Sequence, residues 1–134
     1  MSIRVPTVTE QGSAELRLHF EPEASTPRAA RREFTRRFDE HPCLEPLLLC
    51  LSEVVTNAVL HARTGVSVRA VEVGLTIRVE VADGSRVKPV RRSFAEISPT
   101  GRGLHLLDRL ATSWGIDLSP RGKTVWFEIG PEDP

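Results

Sequence analysis

The sequence predicts a two-layer α/β sandwich of the α+β kind, a mixed, mostly antiparallel sheet with helices on one face. Three observations carry this expectation. VSVRAVEV (66–73) and LTIRVEVAD (75–83) alternate apolar and polar residues and meet at Gly74, the pattern of a hairpin. WGIDLSP and KTVWFEIG repeat that pattern around Pro120–Gly122. Three further stretches carry apolar residues at helical spacing, and two of them stand together before the first hairpin. Strands that follow one another directly pair as hairpins, which argues against a doubly wound parallel sheet.

A length of 134 residues suits one domain with one core. Residues 1–13 are polar and read as a flexible N-terminus, and 14–130 as a single domain. AELRLHF (14–20) alternates and predicts a half-buried strand. A helix follows from Pro27 to about Phe38, with Ala30, Phe34 and Phe38 on its apolar face. HPCLEP ends it, because Pro42 and Pro46 suit a turn and the first turn of a new helix. That second helix runs from about Leu44 to Ala62 and stops before Thr64-Gly65. After the first hairpin, residues 84–100 show no period and contain two prolines. A structureless segment of that length in a compact domain reads as a lid or binding loop. It is expected to be unordered without a ligand. GRGLHLLDRLATSW opens with glycines and becomes amphipathic through Leu104, Leu107 and Leu110. The predicted order is β-α-α-β-β-lid-α-β-β, with no internal repeat.

Composition excludes several classes of function. Lysine plus arginine equals aspartate plus glutamate at 18 each, so no basic excess suggests nucleic acid as the main partner. Arg28, Arg31, Arg32, Arg36 and Arg37 crowd the first helix, and the neutral total reads them as a solvated face. The longest unbroken apolar run is about five residues, at 47–51, so no membrane span is expected. The first residues have no apolar signal region. Cys43 and Cys50 lack metal-ligand spacing, as do His19, His41, His61 and His105. This composition fits a reduced, cytoplasmic protein.

Chemistry is concentrated in four places. In LSEVVTNAVLHA, Glu53, Asn57 and His61 recur every four residues and form one polar stripe on an otherwise apolar helix. A carboxylate there must face solvent or a polar pocket, since burying an unpaired charge costs several kcal/mol. In VEVADGS a strand ends at Asp83 and turns at Gly84. Such a carboxylate makes an ordinary Asp-Gly turn or accepts a hydrogen bond from an exocyclic amine. Gly101, Arg102, Gly103 and Leu104 open a helix, and backbone N–H groups at a glycine-rich helix start can cradle phosphate. Gly122 and Thr124 begin the last strand. A P-loop is excluded, because GKT here lacks the upstream glycine and leads into a strand.

ExxxN on a helix, strand-Asp-Gly, a lid, GxGL on a helix and Gly-x-Thr on a strand occur in this order. Together they resemble the N, G1, G2 and G3 boxes of the GHKL, or Bergerat-fold, ATPases. The chain is most similar to the small stand-alone anti-sigma factor serine/threonine kinases of bacteria, especially actinobacterial ones. SEVVTNAVLHA, VADGS, GRGLHLLDRLATSWG and GKTVWFEI carry the likeness, which covers 14–129.

The resemblance implies a Bergerat-type histidine kinase-like ATPase fold that binds ATP and Mg²⁺. It implies Asn57 as the metal ligand, Glu53 as the general base, and Asp83 as reader of the adenine amino group. Gly84 belongs to the same box, and Gly101, Arg102, Gly103 and Leu104 belong beside the phosphates. Gly122 and Thr124 belong near the adenine, and His61 at the pocket edge. As partners it implies a sigma factor, an antagonist protein carrying the phosphoacceptor serine or threonine, or both, with a possible homodimer. One departure stands out. The fuller G1 motif is DxGxG, whereas Ser85 and Val87 replace both later glycines here, which implies a differently built adenine wall. A non-catalytic module that binds ATP or simply sequesters a partner is therefore the second reading. A sensor histidine kinase fragment is a third, weakened by the lack of room for a phosphoacceptor helix pair.

Overall fold

The computed structural model describes residues 2–3, 7–8, 14–61, 64–84 and 103–131. Five strands form the body of an antiparallel sheet: β3 (Ala14–Phe20), β4 (Val66–Val73), β5 (Thr76–Asp83), β6 (Ser113–Ser119) and β7 (Gly122–Ile129). Their spatial order is β3-β4-β5-β7-β6. Two two-residue pieces, β1 (Ser2–Ile3) and β2 (Thr7–Val8), pair antiparallel with β3 within the stretch assigned to a flexible N-terminus. All described pairings are antiparallel.

Both hairpins form. In the first, Val73 pairs with Thr76, leaving Gly74 and Leu75 as a two-residue loop. Gly74 has φ 62, and a two-residue hairpin loop whose first central residue has positive φ favours glycine. The pairing of β5 with β7, Ile77 opposite Ile129 through Asp83 opposite Lys123, joins the two hairpins into one sheet.

The helices are α1 (Thr26–Phe38), α2 (Leu44–His61) and α3 (Gly103–Leu110). They cover one sheet face. α2 lies against β4, β5 and β7, α1 against α2 and β3, and α3 against α2 and β6. Strand alternation sends Leu16, Leu18, Phe20, Val66, Val68, Ala70, Ile77, Val79, Val81, Phe127 and Ile129 into that layer boundary. They meet Phe34 and Phe38 of α1, Leu47, Leu51 and Val55 of α2, and Leu107 of α3. By length and composition alone α2 could cross a bilayer. Here its apolar residues Leu47, Cys50, Leu51, Val54, Val55 and Ala58 are buried in the core. Burial also pushes the Cys50 thiol up to about 12, which leaves it protonated and inert.

The opposite sheet face carries charge. Glu15 accepts a hydrogen bond from Arg69 Nε at 2.8 Å and pairs with Arg17. Arg69 reaches Glu80 at 3.3 Å, and Arg78 bridges Glu80 and Glu128 at 3.1 Å each. Arg78 also lies 4.3 Å from the centre of the Trp126 ring. Period-two alternation with charged outward residues thus gives a sheet that the described helices cover on one side only.

The segment read as a lid, 84–100, and expected to be unordered without a ligand, lies outside the described residues from Ser85 onward. Element boundaries differ from those expected by a residue or so. α1 begins at Thr26, whose hydroxyl donates to the Glu21 carbonyl at 2.6 Å. α2 is described to His61, and β7 begins at Gly122.

Candidate functional site

The polar stripe of α2 runs toward one end of the sheet. His41, just before α2, donates from Nε2 to the Leu75 carbonyl at 2.8 Å, which anchors the start of the helix beside the β4–β5 turn. From there α2 extends about 27 Å at 1.5 Å per residue. It is followed within a few residues by Val66, the strand residue opposite Asp83. The C-terminal half of α2 and the end of β5 therefore belong to the same end of the molecule. Glu53 and Asn57, one turn apart, are half-buried, and His61 is exposed.

Asn57 has an unusual environment. Its Oδ1 is buried and accepts no hydrogen bond among the described residues. A buried amide oxygen left unpaired costs about 1–3 kcal/mol, so this atom is suited to accept from a donor or to ligate a cation. Among the described residues no three His, Cys, Asp or Glu side chains cluster as a metal site.

Asp83 ends β5 and is only 7% exposed. It stands opposite Val66 on one side and Lys123 on the other. The next residue, Gly84, donates its N–H to Thr64 Oγ1 at 2.9 Å, which ties the end of β5 to the loop after α2. Gly122 closes the same corner from the other hairpin. Its φ is 146, and a Cβ there would collide with the Asp83 carbonyl oxygen and approach the Gly84 Cα at 2.9 Å. Glycine is required both by that dihedral angle and by the close approach of two backbones. Residues 83–84 and 122, distant in sequence, thus form one junction.

Thr124 is not at that junction. It pairs with Ala82, one step from Asp83, so its side chain shares the charged open face with Arg17, Arg69 and Glu80. The register thus sets Thr124, expected near the adenine, on the sheet face opposite to that of Asp83. Neighbouring residues of a strand point to opposite faces, and Asp83 shares its face with Lys123. Lys123 is 8% exposed, a rare degree of burial for lysine, and was missed from the sequence. A signal was available: Val125, Phe127 and Ile129 mark the inward parity of β7, and Lys123 has the same parity.

α3 begins at Gly103 and ends beside the opposite end of the sheet. Thr112, just past it, donates its N–H to the Glu128 carbonyl at 2.8 Å, and Trp114 Nε1 donates to Asp108 at 2.8 Å. Gly101 and Arg102 lie outside the described residues, as does the side chain of Leu104. The geometry therefore brings together Asp83, Gly84 and Gly122, with Lys123 added. It places Glu53, Asn57 and His61 on a helix that runs toward them.

A family model described as a histidine kinase-like ATPase domain matches residues 20–129. No curated protein sequence matches the chain significantly. Among solved structures, the chain is similar to the crystal structure of the RsbU and RsbW domains of Rv1364c from Mycobacterium tuberculosis, with a TM-score of 0.68 and 21% identity. That likeness covers 90% of this chain and 33% of the other, so the chain spans about a third of the length of that structure's chain.

Proposed function

The chain belongs to the histidine kinase-like ATPase domain family, and from that premise we propose that it is an ATP-binding regulatory protein of the anti-sigma factor type. In this reading it is a Mg²⁺- and ATP-dependent serine/threonine kinase of a small antagonist protein, acting in the cytoplasm. The observation that carries nucleotide binding is the buried, unpaired Oδ1 of Asn57, one turn from Glu53. The anti-sigma assignment rests on the likeness of the four sequence boxes to those kinases.

Bound Mg²⁺ would neutralise phosphate charge as the phosphoryl group leaves. The residues of the chain do the rest. Asn57 Oδ1 would offer a protein oxygen to that ion. Glu53 takes the proton from the acceptor hydroxyl as general base. Asp83 accepts a hydrogen bond from the adenine amino group. The Gly84–Gly122 contact keeps side chains out of the corner where the ring would lie. Backbone N–H groups at Gly101 and Gly103, with Arg102, would hold the phosphates at the start of α3.

The departure in the G1 box supports a second reading, a module that binds its partner without phosphorylating it. Phosphotransfer from labelled ATP to a co-encoded antagonist protein separates the two. Glu53→Gln should retain ATP binding and lose phosphotransfer by about a hundredfold or more, the usual scale for a general base. Equal regulation of the partner by wild type and Glu53→Gln would support sequestration instead.

A further inference from the structure

The α layer carries a groove that the nucleotide reading does not use. It follows the crossing of α1 and α2, where two adjoining depressions of about 390 and 430 Å³ share Arg28, Arg31 and Ser52. α2 supplies the apolar floor with Leu48, Leu49, Val59 and Leu60. Leu49 is 47% exposed and Leu60 53%, on a helix whose other leucines are largely inside. The lining runs from Glu45 to Leu60, about 22 Å or four turns of helix. At 100° per residue the groove lies roughly a quarter-turn from the Glu53–Asn57 stripe.

α1 supplies the wall with Arg28, Arg31 and Arg32. Among the described residues none of these three forms an ion pair, whereas Arg36 and Arg37 pair with Glu33 and Glu72. Among the described residues Glu45 is the one acidic side chain lining the groove. An apolar strip four turns long beside uncompensated arginines has the chemistry of a helix-in-groove site, whose apolar anchors recur at i, i+3, i+4 and i+7. The segment 85–102 of the chain itself has the wrong charge, with Arg86, Lys88, Arg91, Arg92 and Arg102 against Glu96.

We infer that the α1–α2 groove docks an acidic amphipathic helix of a protein partner, with its leucine-type anchors between Leu49 and Leu60 and its carboxylates facing Arg28, Arg31 and Arg32. Electrostatic complementarity of this kind governs association rate and choice of partner. Docking here would deliver a partner beside the polar stripe of α2. The inference does not depend on nucleotide binding.

The test is selection without nucleotide from a displayed library of helical peptides about 18 residues long, varied in charge and in the spacing of apolar residues. The expected binders carry net negative charge with apolar residues at i, i+3, i+4 and i+7. Their affinity should fall about tenfold or more for Arg28→Glu with Arg31→Glu, and equally for Leu49→Asp, on the scale of interface hot spots. Arg36→Glu, outside the groove, should leave it unchanged. All four side chains are exposed, so the variants should keep the wild-type far-ultraviolet circular dichroism. Hydrogen exchange with a selected peptide should slow in α1 and α2. An empty selection, neutral or basic binders, indifference to the arginine reversal, or protection confined to the open sheet face would each overturn the inference.

Discussion

Asp83 and Lys123 stand opposite each other at the end of two strands, each less than a tenth exposed. The alternation that puts them on one face puts Thr124 on the other. A strand residue is specified by parity as much as by motif. Reading Gly-x-Thr as a unit grouped Thr124 with Asp83, whereas the parity given by Val125, Phe127 and Ile129 groups Lys123 with it. Glu53 and Asn57 were legible because their spacing is the period of the helix. The orphaned oxygen of Asn57 was not legible, since it depends on what the other described residues fail to bring near it. Cross-strand partners of opposite charge at low exposure should be energetically coupled. In urea denaturation, Lys123→Met should cost about 1–3 kcal/mol in the presence of Asp83 and clearly less beside Asp83→Asn. Thr124→Val should change stability by less than about 0.5 kcal/mol in either background. A double-mutant cycle with no coupling between Asp83 and Lys123 would contradict the register.

Among elements, the five main strands and three helices follow from local pattern, because each has a clear period of two or about 3.6. The hairpins were legible too, since a tight turn makes the neighbour in sequence the neighbour in space. The position of β7 between β5 and β6 was not: nothing local says which hairpin edge meets which. Once paired, β3, β4, β5 and β7 carry the charged ladder on the open face. The Arg69 hydrogen bond holds the Glu15 carboxyl below its usual value, against the opposing effect of burial, with further help from the charges of Arg69 and Arg17. A carboxyl lowered in the folded state binds protons less readily there than in the unfolded chain. Its contribution to stability is therefore complete above the ordinary value of 4.5 and is lost as pH falls through and below it. The urea midpoint should decline on acidification past that point. Glu15→Gln should have a lower midpoint at neutral pH and a shallower acid limb. An unchanged acid limb in Glu15→Gln would mean that the ladder adds no stability through this carboxyl.

For the whole molecule, the proposed site draws on stretches around 53–61, 83–84 and 122–123, and each belongs to an element held by the common core. Any ligand that bridges α2 and the β5–β7 junction must stabilise the entire domain, because it binds only when those elements are in place. At a hundred times its dissociation constant, Mg²⁺ with ATP should add about 2.7 kcal/mol. For a domain of this size that corresponds to a rise in Tm of roughly 5–10 °C. Asn57→Ala supplies the decisive contrast. The alanine removes an amide oxygen that no described residue satisfies, so the variant without ligand should melt at or above the wild-type temperature. The same variant should lose most of the rise given by Mg²⁺ and ATP, while ATP alone, in the presence of a chelator, should affect both proteins alike. A residue retained for packing would behave in the opposite way, lowering the Tm of the free protein and leaving the ligand-dependent rise intact. Scanning calorimetry on the two proteins, with and without Mg²⁺ and ATP, thus distinguishes a strained ligand site from an ordinary half-buried asparagine.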